Sequence, residues 1–432
     1  MTETGTFERD VTDAAPSASW QDRLALAAFL LGTGVSMVGN TLVLVALPWF
    51  VLETTGSAVR TGTIAMVAAL PALLSGLLGG VLVDRLGGRA MSVLADVISG
   101  VAVILIPILY LTIGLNFWVF AGLVFVGAAL DIPGATARRT LLPELARGAN
   151  LRDEAISSAH ETLQTAAFIV GPVLAGALIA LIGTVHLLWI TAGGFFFSAL
   201  CIGLFVPAAK HEAETGSEHA ATGAFAEMKA GLHYLRADSL LLWLAIGLTL
   251  MNFLNSPFWG VVLPVLVEER FGHAAQLGLL FTAFGAGSLL GGLAYGAVGH
   301  RFRARRRLIY LVGMMSFCLM VWVFTLEIPY PLMLALVFVE GLVTGPVNPL
   351  LLAVRLERIP EALRGRVFAT FSGLAAAAMP LGMLAAGWLF ETAGVQGGMT
   401  VMAIVTTLAV GVLWLVRPLR EMDVVEETKG AG

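Results

Sequence analysis

Charge is scarce in this chain. Of 432 residues only 12% are Asp, Glu, Lys or Arg, about half the share that soluble domains carry. Lysine is almost missing, with three against 22 arginines, and the net charge is −4, so there is no basic footprint for nucleic acid. There are two cysteines, Cys201 and Cys318, and both sit inside apolar runs. That excludes a disulfide framework or a thiolate metal cluster and makes them small buried hydrophobes. The seven histidines are scattered and no serine-nucleophile or zinc signature appears, which argues against a membrane enzyme. A sensor would need an appended soluble domain, and both tails are short. No phosphate-cradling G-x-x-x-x-G-K-[ST] loop is present, so ATP is not expected as the energy source. Neither a metal nor an organic cofactor is expected.

What the chain has is apolar length. Apolar residues make up 58%, the mean hydropathy is +0.89, and a bilayer crossing takes about 20 such residues. The runs predict helices over 24–53, 60–83, 91–113, 117–138, 156–182, 185–207, 238–268, 274–299, 308–326, 331–354, 365–391 and 396–417. The expected class is therefore an all-α membrane protein with twelve transmembrane helices. The first twenty residues are polar and mostly acidic, unlike a secretory signal with its basic start and short apolar core. Residues 1–23 are expected to be a cytoplasmic tail. Orientation follows from the loops, where the basic face is the cytoplasmic one. Twenty-three of the 25 Lys and Arg fall on the side of the termini, and only Arg60 and Arg270 fall opposite. Both termini are thus expected in the cytoplasm. The excess of Arg over Lys, with many Ala, Gly and Val, suggests a bacterium with GC-rich DNA, and so its cytoplasmic membrane.

The long hydrophilic interruption, 208–237, divides the chain. It begins as a linker, then spaces Phe225, Met228, Leu232 and Leu235 on one helical face, as an amphipathic surface helix does. The halves around it, 24–207 and 238–417, repeat, leaving 418–432 as a C-terminal tail. A shift of 216 residues superposes Pro48 on Pro264, Glu53 on Glu269, Gly56 on Gly272, Gly62 on Gly278, Gly76 on Gly292, Gly80 on Gly296, Arg85 on Arg301 and Arg89 on Arg305. Gly176 and Gly183 match Gly387 and Gly394 after a small change of offset. Parallel repeats of this kind build transporters whose site lies near the midplane between the halves.

A knot of charge joins the second and third helices: Gly80-Val-Leu-Val-Asp84-Arg85-Leu-Gly87-Gly88-Arg89. Gly79 and Gly80 allow helices to approach, and Gly87 with Gly88 offers the freedom of a tight turn. The stretch resembles the G-x-x-x-D-[RK]-x-G-[RK]-[RK] loop of major facilitator superfamily transporters, with Gly88 in place of a basic residue. Three more stretches, Ala46–Ala58, Pro133–Leu145 and Gly231–Leu241, are similar to the exporter branch that holds enterobactin exporters and Mef-type macrolide efflux proteins. The resemblance implies two pseudo-symmetric six-helix bundles with helices one, four, seven and ten around a cavity. It also implies that Asp84 approaches the start of the eleventh helix near Leu363–Arg366 as part of a gate, with Gly80, Arg85, Gly87 and Arg89. Asp84 has no acidic counterpart in the second half, where His300 stands. Gly171-Pro172-Val-Leu-Ala175-Gly176 is similar to the glycine-proline motif of drug–proton antiporters, with Ala175 for a glycine. Leu123 occupies the position where many proton-coupled exporters carry an arginine.

Ionisable groups within membrane helices are costly unless they meet a cavity or a partner. Glu340, about 15 Å into the tenth helix at 1.5 Å per residue, is the clearest candidate for proton coupling. Glu161 and Asp131 are further candidates, although Asp131 and Asp96 also lie within reach of cytoplasmic arginines as structural pairs. Polar groups at midplane depth are Asn40, Asn252 and Asn255, which with Trp259 and Glu340 are candidates for substrate contact. Asparagines can equally stitch helix to helix. The expectation is a monomeric secondary transporter, not an enzyme, that exports hydrophobic small molecules in exchange for protons and has membrane lipids as its surroundings. A lysophospholipid or nutrient transporter of the same fold is the alternative.

Overall fold

The computed structural model describes residues 19–207 and 220–423, and the side chains of all of these except 74–81 and 220–228. The expected tail segments 1–18 and 424–432, the linker residues 208–219 and the side chains of Phe225 and Met228 lie outside the described residues. Among the described residues every regular element is helical. Lipid offers no hydrogen bonds, so a spanning chain must close its backbone bonds on itself.

The first half comprises α1 (Trp20–Thr55), α2 (Ala58–Leu86), α3 (Gly88–Thr112), α4 (Phe117–Ala129), α5 (Asp131–Gly148), α6 (Asp153–Ile182) and α7 (Thr184–Phe205). α8 (Ala220–Ala237) follows. The second half holds α9 (Ser239–Pro257), a π-helical turn (Phe258–Val262), α10 (Leu263–Phe271), α11 (Ala274–Val298), α12 (Arg306–Phe324), α13 (Tyr330–Thr344), α14 (Val347–Arg358) and α15 (Arg364–Leu415). Nine stretches of the described residues are long and apolar enough to cross a membrane. Two of these are double length. Ala274–Phe324 turns back through Gly299–Arg305, and Glu361–Leu415 breaks at Gly394, whose φ of 68° is outside the helical range.

Local chemistry sets the ends and the breaks. α1 starts four residues before its apolar run because Ser19 and Asp22 form a reciprocal capping box. The predicted helix over 117–138 is in fact two helices with a break at Leu130. Pro133 lacks an N–H and crowds the carbonyl four residues back, so α4 cannot run on. α9 loosens into the π turn beside Pro257, and α13 stops at Gly345-Pro346. Of the two adjacent glycines that end the charged knot, Gly87 and Gly88, only Gly87 has positive φ, at 78°. Gly88 already belongs to α3, and a Cβ there would lie 3.0 Å from the Ala137 carbonyl. Close packing, rather than turn freedom, explains glycine where the pattern has a basic residue.

α8 does not lie free on a surface. Gly231 packs against α15, where a Cβ would come within 2.8 Å of the Arg366 carbonyl, and Leu235 is buried. The Tyr234 hydroxyl donates to the Arg358 carbonyl at 3.0 Å. The C-terminal turn Pro418–Asp423 is tied nearby by Arg358 to Glu421 at 3.0 Å. The start of α1 and this turn mark one end of the molecule, the terminal end; the opposite one is the far end.

The two halves meet chiefly through α2 on α15 and α6 on α11, and the two crossings are copies of each other. A Cβ on Gly62 would stand 2.5 Å from the Met383 carbonyl, and one on Gly387 would stand 2.7 Å from the Ala58 carbonyl. In the second crossing Gly278 faces the Pro172 carbonyl, and a Cβ on Gly176 would stand 2.6 Å from the Ala274 carbonyl. Every partner maps onto its counterpart by the offsets of the sequence repeat. Small residues four apart let backbones touch, which is how helices associate where lipid removes the hydrophobic drive. Beyond the first crossing, Glu391 of α15 accepts from the Ser57 hydroxyl (3.1 Å) and the Val59 amide (3.2 Å), which ties the halves at the far end.

Gly176→Ala should therefore force the helices apart. Overpacking of this kind costs about 1–3 kcal/mol and should lower the melting temperature of detergent-purified protein. Gly373→Ala, at a site with nothing within 4 Å of a Cβ, should leave it unchanged.

Candidate functional site

A cavity of about 310 Å³ opens inside the first half. Its walls come from Asn40 to Pro48 on α1, Ile64 to Ala69 on α2, one face of α3, and α4 with the first residue of α5. Phe195 of α7 closes one side, and the second half contributes only Gly260, Met379 and Met383. Among the described residues that line it, none is Lys or Arg.

The α4–α5 break places the one carboxylate among the described residues that line the cavity. Asp131 is the first residue of α5, so its side chain emerges at the kink, half-buried, instead of against a neighbouring helix turn. Ser99 of α3, which donates to the Gly127 carbonyl at 2.9 Å, lies 3.5 Å from the Asp131 carboxylate. Asn40 supplies an amide from α1. The remaining lining is almost wholly apolar, and Leu123 extends it at the position where the resemblance led one to look for arginine.

Below the cavity is a buried polar network. Asp96 pairs with Arg138 at 2.5 Å, and their side chains are 3% and 6% exposed. Ser36 and Ser198 donate to the same carboxylate at 2.8 and 2.6 Å, and Arg138 also donates to Ser36 at 3.0 Å. The network joins α1, α3, α5 and α7, so it fixes the first half as one body. Asp96 is thus the structural pair expected of it. Asp131 is not, since it faces the cavity.

The other sequence candidates are dispersed. Glu340 on α13 is 3% exposed, and among the described residues neither oxygen of its carboxyl has a hydrogen-bond partner. It does not line the cavity. Asn252 donates to the Ala375 carbonyl at 3.2 Å, a stitch between α9 and α15. Asn255 is half-buried outside the cavity lining. Trp259 is not among the cavity lining and packs at a tilt against Phe284, with ring centroids 4.4 Å apart. Glu161 is an open position, 62% exposed and 3.5 Å from Arg139, so it is not buried. Asp84 and Arg85 are exposed in the last turn of α2, and Arg89 donates to the Gly203 carbonyl of α7, within the first half. What surrounds Gly80 lies outside the described residues. Gly171 packs on Thr41 of α1, whereas Pro172 and Gly176 form the crossing to α11.

The expected lining by helices one, four, seven and ten holds for α1, for α4 with α5, and for the π turn, but not for α13. Instead α2, α3 and α15 contribute. Sequence reading overlooked Ser99, Phe195, Gly260, Met379 and Met383. A signal for Ser99 was present: Ser92, Asp96 and Ser99 follow helical spacing in an otherwise apolar run, and so share one face of α3. Phe195 lay among three consecutive phenylalanines with nothing to single it out.

Comparison with known proteins agrees with this architecture. The family model of the Major Facilitator Superfamily matches residues 29–272 and 248–431. The multidrug efflux pump Tap of Mycolicibacterium fortuitum is 34% identical over 391 residues, covering 89% of this chain and 94% of Tap. Macrolide efflux protein A of Streptococcus pyogenes is 22% identical over 373 residues, covering 84% and 89%. The crystal structure of the nucleoside transporter NupG superposes with a TM-score of 0.70 at 13% identity, covering 90% of this chain and 98% of that one.

Removing one partner of the buried ion pair leaves the other charge stranded, at about 3–5 kcal/mol. Asp96→Ala should sharply reduce the yield and thermal stability of purified protein. Replacing both, as Asp96→Leu with Arg138→Met, should recover most of the loss. A double variant no more stable than the single one would contradict this account of the network.

Proposed function

Since the chain belongs to the major facilitator superfamily, we propose that it is a secondary transporter that expels hydrophobic, cationic drugs or metabolites from the cell in exchange for protons. The observation that carries this is the cavity, whose described lining is apolar but for one carboxylate, one amide and one hydroxyl and includes no basic side chain. Such a lining suits a bulky apolar body with a single positive group and disfavours anions, sugars and nucleotides. Similarity over nine-tenths of the chain to a pump named for multidrug efflux supports the same reading.

In this reading the protein is a monomer in the bacterial cytoplasmic membrane with both termini inside, an orientation that the excess of loop arginines on that side supports. Twelve crossings in two bundles, 24–207 and 238–417, rock against each other about the glycine crossings. In the arrangement described here the far end is held by those crossings and by Glu391. The charged knot at Asp84, Arg85 and Arg89 then closes the terminal end when the far end opens. Asp131 and Asn40 meet the substrate, and an ammonium beside Asp131 exchanges a water shell for a carboxylate in an apolar site. Glu340 takes and releases the driving proton.

Expression in a drug-sensitive bacterium should raise tolerance to ethidium and to macrolides, and a protonophore should abolish ethidium efflux. Asp131→Asn should impair efflux of ethidium more than that of the uncharged drug chloramphenicol. Efflux unaffected by the protonophore would sink proton exchange, and equal loss for both drugs would sink the charge contact.

A further inference from the structure

Where α11 turns back into α12 at the terminal end, the seven residues Arg301 to Arg307 include five arginines. Two of them hold the fold. Arg306 is buried and donates to both carboxylate oxygens of Glu357, at 2.5 and 2.7 Å. Arg307 reaches across to α15 and donates to the Trp414 carbonyl at 2.8 Å, in the last turn, where a helix leaves its carbonyls unpaired. The other three have no such task. Arg303 stands 3.9 Å from Glu357, whose oxygens Arg306 already holds. Arg301 and Arg305 are exposed and, among the described residues, have neither an ion pair nor a side-chain hydrogen bond. The segment packs against the C-terminal turn Pro418–Asp423. Arg417 and Arg420 stand there, exposed and likewise without such partners among the described residues. The described acids of the turn and of α14 are engaged elsewhere: Glu357 by Arg306, Glu421 by Arg358 at 3.0 Å, and Asp423 by the Arg307 amide at 2.9 Å. A surplus of positive charge therefore gathers on one edge of the second half.

The sequence repeat supplies an internal comparison. In the first half Arg89 donates to the Gly203 carbonyl, near the end of α7. The offset of 211 residues that takes Gly176 to Gly387 takes Gly203 to Trp414. Each half thus uses one arginine to tie the start of one helix to the end of another. The first half does so with a loop that holds only Arg85, Arg89 and the acid Asp84, so the fold itself does not call for Arg301, Arg303 and Arg305. Beside the surplus charge lies apolar surface. Phe302 and Leu308 are 42% and 48% exposed, and Leu415, the last residue of α15, is 83% exposed. Charge next to bare apolar surface, at the level where spanning helices end, is the profile of a lipid with its headgroup and chains.

We propose that the edge formed by Arg301, Arg305, Arg417 and Arg420 binds an anionic phospholipid of the leaflet at the terminal end. The phosphate lies between the loop and the C-terminal turn, and an acyl chain runs over Leu308 and Leu415. A guanidinium meets two phosphate oxygens at once, which a point charge cannot do. Basic pockets at helix ends on the cytoplasmic side recognise phospholipid headgroups in this way. The lipid would pin the loop to the turn and so brace α12 against α15. This needs only that the protein spans a membrane, and does not depend on drug efflux or proton exchange.

The test titrates purified full-length protein in detergent with dioleoyl phosphatidylglycerol or dioleoyl phosphatidylcholine, counting retained lipid by native mass spectrometry. Wild-type protein should hold phosphatidylglycerol about tenfold or more tighter than phosphatidylcholine. Arg301→Gln with Arg305→Gln should reduce that preference at least about fivefold, and Arg417→Gln with Arg420→Gln should reduce it too. Arg147→Gln with Arg152→Gln removes the same charge from exposed positions of the first half's terminal end, and should keep the preference within about twofold. Phosphatidylglycerol should also raise the melting temperature, where inorganic phosphate at the same concentration should not. Equal retention of the two lipids by the wild type would leave the arginines to membrane orientation alone and overturn the proposal. Equal loss in the Arg147 and Arg152 variant would make the effect diffuse surface charge, and loss confined to either element of the edge would break the two-element site. Stabilisation by inorganic phosphate equal to that by lipid would make it a site for free anions. A preference that emerges only in Glu426→Gln with Glu427→Gln would make the chain's own acidic C-terminal segment the occupant, and overturn the proposal as well.

Discussion

Backbone touching backbone across the two halves is the constraint on which the rest of the molecule depends. In lipid, apolar side chains gain little by leaving one apolar neighbour for another, so association rests on close fit. The pairs Gly62–Gly387 and Gly278–Gly176 provide it twice, with the same carbonyls in the same roles. A contact so close tolerates sliding and tilting but not a new side chain, which suits a joint better than a permanent seam. Because the two crossings are related by the repeat, the proposed rocking of the halves would favour neither crossing.

Upon this symmetric joint the chain places asymmetric chemistry. The first half carries the cavity, the Asp96–Arg138 network that fixes its helices, and Asp131 at a break made by Pro133. The second half carries a buried carboxyl with no counterpart of its own, Glu340, and the basic anchors that dock α8 and the C-terminal turn. The helix interruptions serve this division. At Leu130 the break turns an acid toward the cavity, and at the π turn it brings Gly260 to the wall while sending Trp259 into the second half's core. A helix that ran straight through either place would present a different residue.

The fold was legible because its signals are large. Apolar run length and a repeat at one offset follow directly from what a bilayer and a duplicated bundle require, and residues such as Gly62 and Gly278 were visible as matched pairs before their contact was known. Helix breaks were less so: the run over 117–130 is apolar without interruption, and Pro133 reads as a tolerated kink unless its effect on residue 129 is followed through. The site was legible in part. Asn40 and Asp131 were identified by polarity in an apolar setting, a property of each residue alone. Whether Asn252, Trp259 or Glu340 faces a cavity depends on helix rotation, which packing against α11 and α15 decides and no local pattern records. Ser99 and the methionines at 379 and 383 are ordinary helix residues until two remote segments are brought beside them.

The account stands on reciprocal rocking about the glycine crossings, and distances between spin labels report it directly. With Cys201 and Cys318 replaced, one pair of labels would sit at Arg60 and Thr392 on the far end, and another at Leu151 and Leu356 on the terminal end. Lowering the pH, and separately adding ethidium, should move the two distances in opposite directions, one lengthening as the other shortens. Distances that change together, or that stay fixed under both ligands, would contradict it.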